Sequence, residues 1–141
     1  MRMLDTNVLF NAHRRDMEHH EQCHAVLMEL LRGDEAYAVS DFVLNGFIRV
    51  ATNPRIPGAT SFDTAREFSD TVRHQPHAVV VHAGPRHWEI FVKLCLKAGA
   101  RGKLVPDAYL AALAIEHGCD FVTCDRDFAR FEGLRWRSPL N

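Results

Sequence analysis

Apolar residues recur along the chain at two spacings, and the changes between them mark out its elements. From Glu18 to Arg32, Cys23, Val26, Leu27, Leu30 and Leu31 repeat at i, i+3, i+4, i+7 and i+8, one face of a helix, and Gly33 follows where glycine ends helices. Val8, Leu9 and Ala12 give a helix after Asp5-Thr6-Asn7. Ser40 and Asp41 offer caps to a helix through Phe42, Val43, Phe47, Ile48 and Val50, and Thr60 or Ser61 caps another with Ala65, Phe68 and Val72 inward. Pro85 leads a helix whose inward stripe reads Trp88, Phe91, Val92, Cys95 and Leu96, closed by Gly99. A basic loop, Ala100 to Val105, then precedes Pro106-Asp107, which opens a helix from Ala108 to His117. Between these lie short buried strands at Met3-Leu4, Ala36 to Val39, Ala78 to His82 and Asp120 to Thr123, with Leu134 to Arg137 as an edge strand.

Strands alternating with helices over the whole length predict an α/β fold whose largely parallel sheet is covered on both faces. The chain has 141 residues, 47% of them apolar, which suffices for one domain spanning 1–141 and its core. Lys and Arg number 17 against 18 Asp and Glu, so bulk positive charge is not how this chain meets a nucleic acid. The four cysteines form no Cys-x-x-Cys pair, which favours a reducing compartment. Asp5 and Asn7 interrupt any signal-peptide core, and no apolar run approaches a membrane span, so a soluble, cytoplasmic protein is expected.

In parallel sheets, chemistry gathers beyond the carboxyl ends of the strands. Asp5, Asp125 and Asp127 follow strand ends, and Asp107 in a first helical turn can reach the same edge. Each acid alone reads equally well as a helix cap. Together, however, they repel one another unless a divalent cation neutralises them, and an all-oxygen set suits Mg²⁺ or Mn²⁺. Such a site activates water against a phosphodiester without a protein nucleophile.

Three stretches carry a resemblance: Met3-Leu4-Asp5-Thr6-Asn7-Val8-Leu9, Lys103-Leu104-Val105-Pro106-Asp107-Ala108-Tyr109-Leu110, and Thr123-Cys124-Asp125-Arg126-Asp127-Phe128. They resemble the acidic motifs of PIN-domain ribonucleases, above all the VapC toxins of toxin–antitoxin operons, over essentially the whole chain. The resemblance implies a three-layer α/β/α fold around a mostly parallel sheet of four to five strands, and a metal-dependent endoribonuclease acting on tRNA or ribosomal RNA. Carried over, Asp5 and Asp107 are the principal metal ligands, and Asp125 completes the acidic cluster with Asp127 in support. Thr6, Asn7 and Thr123 orient the carboxylates or the water. A homodimer is also implied, with a small VapB-type antitoxin whose basic side chain enters the acidic pocket. Phe42, Phe47 and Ile48 are candidate anchors for that antitoxin and equally good core residues.

The sequence departs from the family in one place. The helix after the second strand normally carries a Glu, where this chain has Val43-Leu44-Asn45-Gly46-Phe47. Leu44 or Gly46 is the expected place to restore an acid, and Asp41 or Asn45 is expected to contribute weakly at most. The gap keeps open a second reading, a PIN fold that binds RNA or protein without cutting it.

Arg101, Lys103, Arg126 and Arg130 flank the acidic edge and are candidate RNA-phosphate contacts, or a solvated face. His13, His19, His20, Cys23 and His24 have transition-metal character, but an exposed His-rich helix is the better reading. Cys119 and Cys124 read as small core fillers. Two other phosphoryl-transfer arrangements fit poorly. A dehalogenase-type site needs an acid where Asn7 stands, and a receiver domain needs an Asp after Val79-Val80-Val81.

Overall fold

The computed structural model describes residues 1–140. Its chain order is β1 (Arg2–Leu4), α1 (Thr6–His13), α2 (His20–Arg32), β2 (Tyr37–Val39), α3 (Asp41–Ala51), α4 (Phe62–Arg73), β3 (Ala78–Val80), α5 (His87–Ala98), α6 (Leu104–Glu116), β4 (Asp120–Val122), a 3-10 turn (Arg126–Arg130) and β5 (Trp136–Arg137). The five strands form one sheet in the order β3-β2-β1-β4-β5, and every pairing is parallel. Helix α1 packs against α2 and α3, and α3 against α4, as one layer, and α5 with α6 forms a second. This is the expected three-layer α/β fold, with the sheet at the upper end of the expected strand count.

The strand order positions the site. From β1 the chain winds outward to β2 and β3, then crosses back to β4 on the other side of β1. The helices that follow β1 and precede β4 therefore diverge, and a crevice opens beyond the carboxyl ends of these two strands. Phe47, Phe121 and Phe128 are among the largest fully buried side chains under this edge, beside Met3 and Tyr37. Among the described residues, no helix is long and apolar enough to cross a membrane.

Three expectations need correction. Trp88 and Leu96 do not face the core; they are 68% and 78% exposed, while His87 and Leu94 are buried. The α5 face is rotated because the His87 imidazole turns inward, its Nε2 at 2.9 Å from the Tyr109 carbonyl oxygen. Helix α6 begins at Leu104, so Lys103 to Val105 is not a loop leading to the helix but its first residues and cap. Pro106 is compatible with this because a first-turn N–H needs no helical partner. The segment after Cys124 is a 3-10 turn rather than a plain loop, capped by the Asp125 carboxylate, which accepts from Asp127 N at 2.9 Å.

Candidate active site

Asp5 is the N-cap of α1, and its carboxylate is almost fully used. Oδ1 accepts from Thr6 N at 2.7 Å, while Oδ2 accepts from Thr123 Oγ1 at 2.7 Å and Asn7 Nδ2 at 3.1 Å. Thr123, fully buried at the end of β4, also accepts from Asp125 N at 3.0 Å and Asn7 Nδ2 at 3.3 Å. Asn7 Oδ1 in turn accepts from Cys124 N at 3.1 Å. One network therefore joins the ends of the adjacent strands β1 and β4. Asp5 and Asp125 are both caps, and a cap is also a backbone-anchored carboxylate at a strand end.

Asp107 enters from the first turn of α6 and is half-buried. With Asp5 and Asp125 it lines a cavity of about 450 Å³, which Thr6, Asn7, Asn45, Gly46, Arg49 and Lys103 also help to line. The three acids repel one another there. Burial pushes the Asp5 carboxyl up to about 6, against the Thr123 and Thr6 hydrogen bonds, and the charges of Asp107 and Asp125 add to the rise. Asp107 is also raised, by burial first and then by Asp125, with Lys103 opposing. Among the described residues, no three His, Cys, Asp or Glu side chains form a group able to hold a metal ion alone. The donors converging on this cavity are nonetheless all oxygens, a set that fits a hard cation keeping several of its own waters.

The other expected residues divide. Asn7 and Thr123 orient Asp5, but Thr6 does so only through its backbone N–H, its hydroxyl being bonded to Val43 O at 3.2 Å. Asp127 does not line the cavity; it stands 4.0 Å from Arg130 and acts on Asp107 only through its charge. Of the basic candidates Lys103 lines the cavity, whereas Arg101, Arg126 and Arg130 are exposed outside it. Arg49 lines it and was missed; its signal was the i, i+4 spacing from Asn45 on α3. Phe42 lies on the cavity wall, exposed and stacked on Tyr109 with centroids 5.1 Å apart, while Phe47 is core. The His20 and His24 rings are neighbours with centroids 5.2 Å apart, but His13 turns away to Thr60 Oγ1, His20 Nδ1 lies at the Asn11 carbonyl oxygen, and among the described residues no third ligand completes a metal group.

The structure also moves the place where an acid can be restored. Leu44 is buried in the core, and a Cβ on Gly46 would stand 2.9 Å from Thr6 Oγ1. Glycine at 46 is what lets α3 approach α1. Gly46→Glu is therefore expected to lose roughly 1–3 kcal/mol of stability by overpacking, despite its better helix propensity, as a lowered Tm will show. Asn45 is the short polar α3 side chain on the cavity wall, exposed beside Phe42 and Arg49. Asp41 is held outside by Arg73, with Nε to Oδ1 at 2.7 Å and Nη2 to Oδ2 at 3.2 Å.

Comparison with known proteins agrees with this architecture. The sequence profile of the PIN domain family matches residues 2–134. The chain is 43% identical over 146 residues to ribonuclease VapC31 of Mycobacterium tuberculosis, covering 99% of this chain and 100% of that one. It belongs to the PIN-domain VapC ribonucleases. Two solved structures share the VapC fold at low sequence identity. VapBC2 from Rickettsia felis, bound to a promoter DNA fragment, superimposes with a TM-score of 0.71 at 18% identity, covering 97% of each chain. VapC20 of Mycobacterium tuberculosis, described as a toxin that cleaves the sarcin-ricin loop, gives 0.68 at 15% identity, covering 94% of this chain and 97% of that one.

Proposed function

We propose that this VapC-family chain is the endoribonuclease toxin of a VapBC-type module, and that it hydrolyses RNA with Mg²⁺ or Mn²⁺ held by Asp5, Asp107 and Asp125. The observation carrying this reading is the convergence of the three carboxylates on one cavity at the β1/β4 crevice, where burial and the neighbouring acids disfavour the charged forms of Asp5 and Asp107. When bound, the cation supplies charge neutralisation at a phosphodiester and acidifies a water. Thr123, Asn7 and the Thr6 N–H hold the Asp5 carboxylate in one orientation, leaving a lone pair of Oδ1 for a ligand. The N-terminal end of α6 favours the ionised form of Asp107. Lys103 at the start of α6 and Arg49 on α3 both line the cavity and supply positive charge for the phosphates flanking the cut.

The same acidic cavity receives a basic side chain of a VapB-type antitoxin, with Phe42 on its wall as an apolar anchor. The names of the VapBC relatives and the charge of the pocket support that partner. The substrate is a structured RNA such as tRNA or ribosomal RNA, the toxin is a homodimer, and it works in the cytoplasm.

Cleavage of a ribosomal RNA fragment and of tRNA with Mg²⁺ or Mn²⁺, against an EDTA control, tests the activity. Cleavage equal in both arms rejects the metal, and no cleavage of either RNA in any arm favours a non-cutting PIN fold. Asn45→Asp is expected to raise Mn²⁺ affinity roughly tenfold by adding a carboxylate to the cavity wall. Asp41→Ala should leave the affinity unchanged. Titration calorimetry checks both, and a large loss in Asp41→Ala would place the missing acid upstream.

A further inference from the structure

Two thiols meet beside the acidic edge. Cys23, on the buried face of α2, and Cys124, between Thr123 and Asp125, are 101 positions apart in sequence, with Sγ atoms 3.6 Å apart. Cys23 is fully buried and Cys124 half-buried, so an oxidant from solvent reaches Cys124 first. The other two cysteines stand apart from this pair: Cys119 Sγ is directed at the His117 carbonyl oxygen at 3.8 Å, and Cys95 is half-buried on α5. Cys124 is tied to the site on both sides. Its N–H donates to Asn7 Oδ1, and the Thr123 hydroxyl beside it holds Asp5 Oδ2 and Asp125 N.

We infer that Cys23 and Cys124 are a redox modification site, forming a reversible disulfide with peroxide that ties α2 to the acidic edge and slows RNA cleavage. The bond itself stands independently of the proposed function; its effect on cleavage rests on it. Hydrogen peroxide transfers one oxygen to the Cys124 sulfur, giving a sulfenic acid and one water. The Cys23 sulfur then attacks that sulfur, the S–O bond breaks, and the hydroxyl leaves as a second water with the Cys23 proton. Two thiols lose two electrons and two hydrogens, and one peroxide is reduced to two waters.

The sulfurs must close by about 1.5 Å to reach a disulfide bond length. On the β4 side, that movement draws on the backbone between Thr123 and Asp125, where the Thr123 hydroxyl donates to the Asp5 carboxylate and accepts from Asp125 N. In a reducing compartment a disulfide of this kind is transient and sensing rather than structural.

The test treats the full chain, freed of reductant, with one equivalent of hydrogen peroxide. The expected result is a mass loss of about 2 Da, a Cys23–Cys124 cross-linked peptide, and reversal of both by dithiothreitol. Cleavage should slow roughly tenfold and recover with the reductant. Cys23→Ala should cut normally under reducing conditions and give no cross-link, whereas Cys95→Ala should still give it. If Cys23→Ala fails to fold, the wild-type peptide map decides alone. Conversion of Cys124 to sulfinic acid with no Cys23–Cys124 peptide overturns the site, and a cross-link that leaves cleavage unchanged overturns its control of the reaction. If the chain cuts no RNA at all, the map still decides the site while the proposed activity falls.

Discussion

Asp5→Asn and Asp107→Asn are each expected to reduce metal-dependent RNA cleavage to background and to leave the metal-free fold at least as stable as the parent at neutral pH. The two effects share a cause. The Asp5 carboxyl is pushed to about 6 from 3.8, chiefly by burial, so its charged form is disfavoured in the fold by about 3 kcal/mol. Asparagine removes the charge and can keep its amide oxygen toward the Asn7 and Thr123 donors, but its NH₂ then faces the Thr6 N–H, so the net gain is roughly 1 kcal/mol. A merely structural acid would show the opposite pattern, losing stability on substitution. Full metal-dependent cleavage retained in both variants would overturn the site assignment.

The same shift fixes a pH signature. Unfolded Asp5 ionises near 3.8 and folded Asp5 near 6, so between these values the native state holds the proton that the unfolded state has lost. Its contribution to stability therefore grows as pH falls from about 6 toward 3.8, and is absent at pH 7 and above. Asp107 is raised as well and acts in the same direction. A divalent cation reverses the trend, because it binds the ionised carboxylates and stabilises the fold by mass action. Mn²⁺ should thus raise Tm more at pH 7.5 than at pH 5. Subtracting the Asp5→Asn melting curves isolates the part due to this carboxylate.

The acids were legible in the sequence because each sits at a junction that local pattern reveals. Asp5 and Asp125 follow short apolar strands and start the next turn, and Asp107 follows a proline in a first helical turn. Local rules of that kind survive folding, and so did the alternation of strands and helices that determines the parallel sheet. The residues that were misread depend on packing between distant segments. Which α3 side chains face the cavity depends on how closely Gly46 lets α3 approach Thr6, so Arg49 was missed and Asn45 was undervalued. The α5 stripe was misphased because a histidine, His87, takes an inward position that hydropathy assigns to Trp88. Cys124 reads as a core filler because its partner, Cys23, lies on a different element far away in sequence.

Thr123→Val is expected to lower cleavage roughly 10- to 100-fold while every proposed metal ligand is kept. Valine keeps the shape and the β-branched strand preference of threonine, so the change removes hydrogen bonds and little else. Lost are the donor to Asp5 Oδ2 at 2.7 Å and the acceptor for Asp125 N at 3.0 Å and Asn7 Nδ2 at 3.3 Å, all at a side chain with no exposure. Buried groups left unpaired cost roughly 1–3 kcal/mol, so Tm should fall. The discriminating readout is the pH profile. The Thr123 hydroxyl stabilises the charged form of Asp5 and holds its proton affinity down, so without it the Asp5 carboxyl titrates higher still. The acid limb of the cleavage profile should then move to higher pH in Thr123→Val and return in Thr123→Ser, which restores the hydroxyl. Loss of packing alone would lower Tm in Thr123→Val and leave the acid limb in place, and that result would remove Thr123 from the positioning of Asp5.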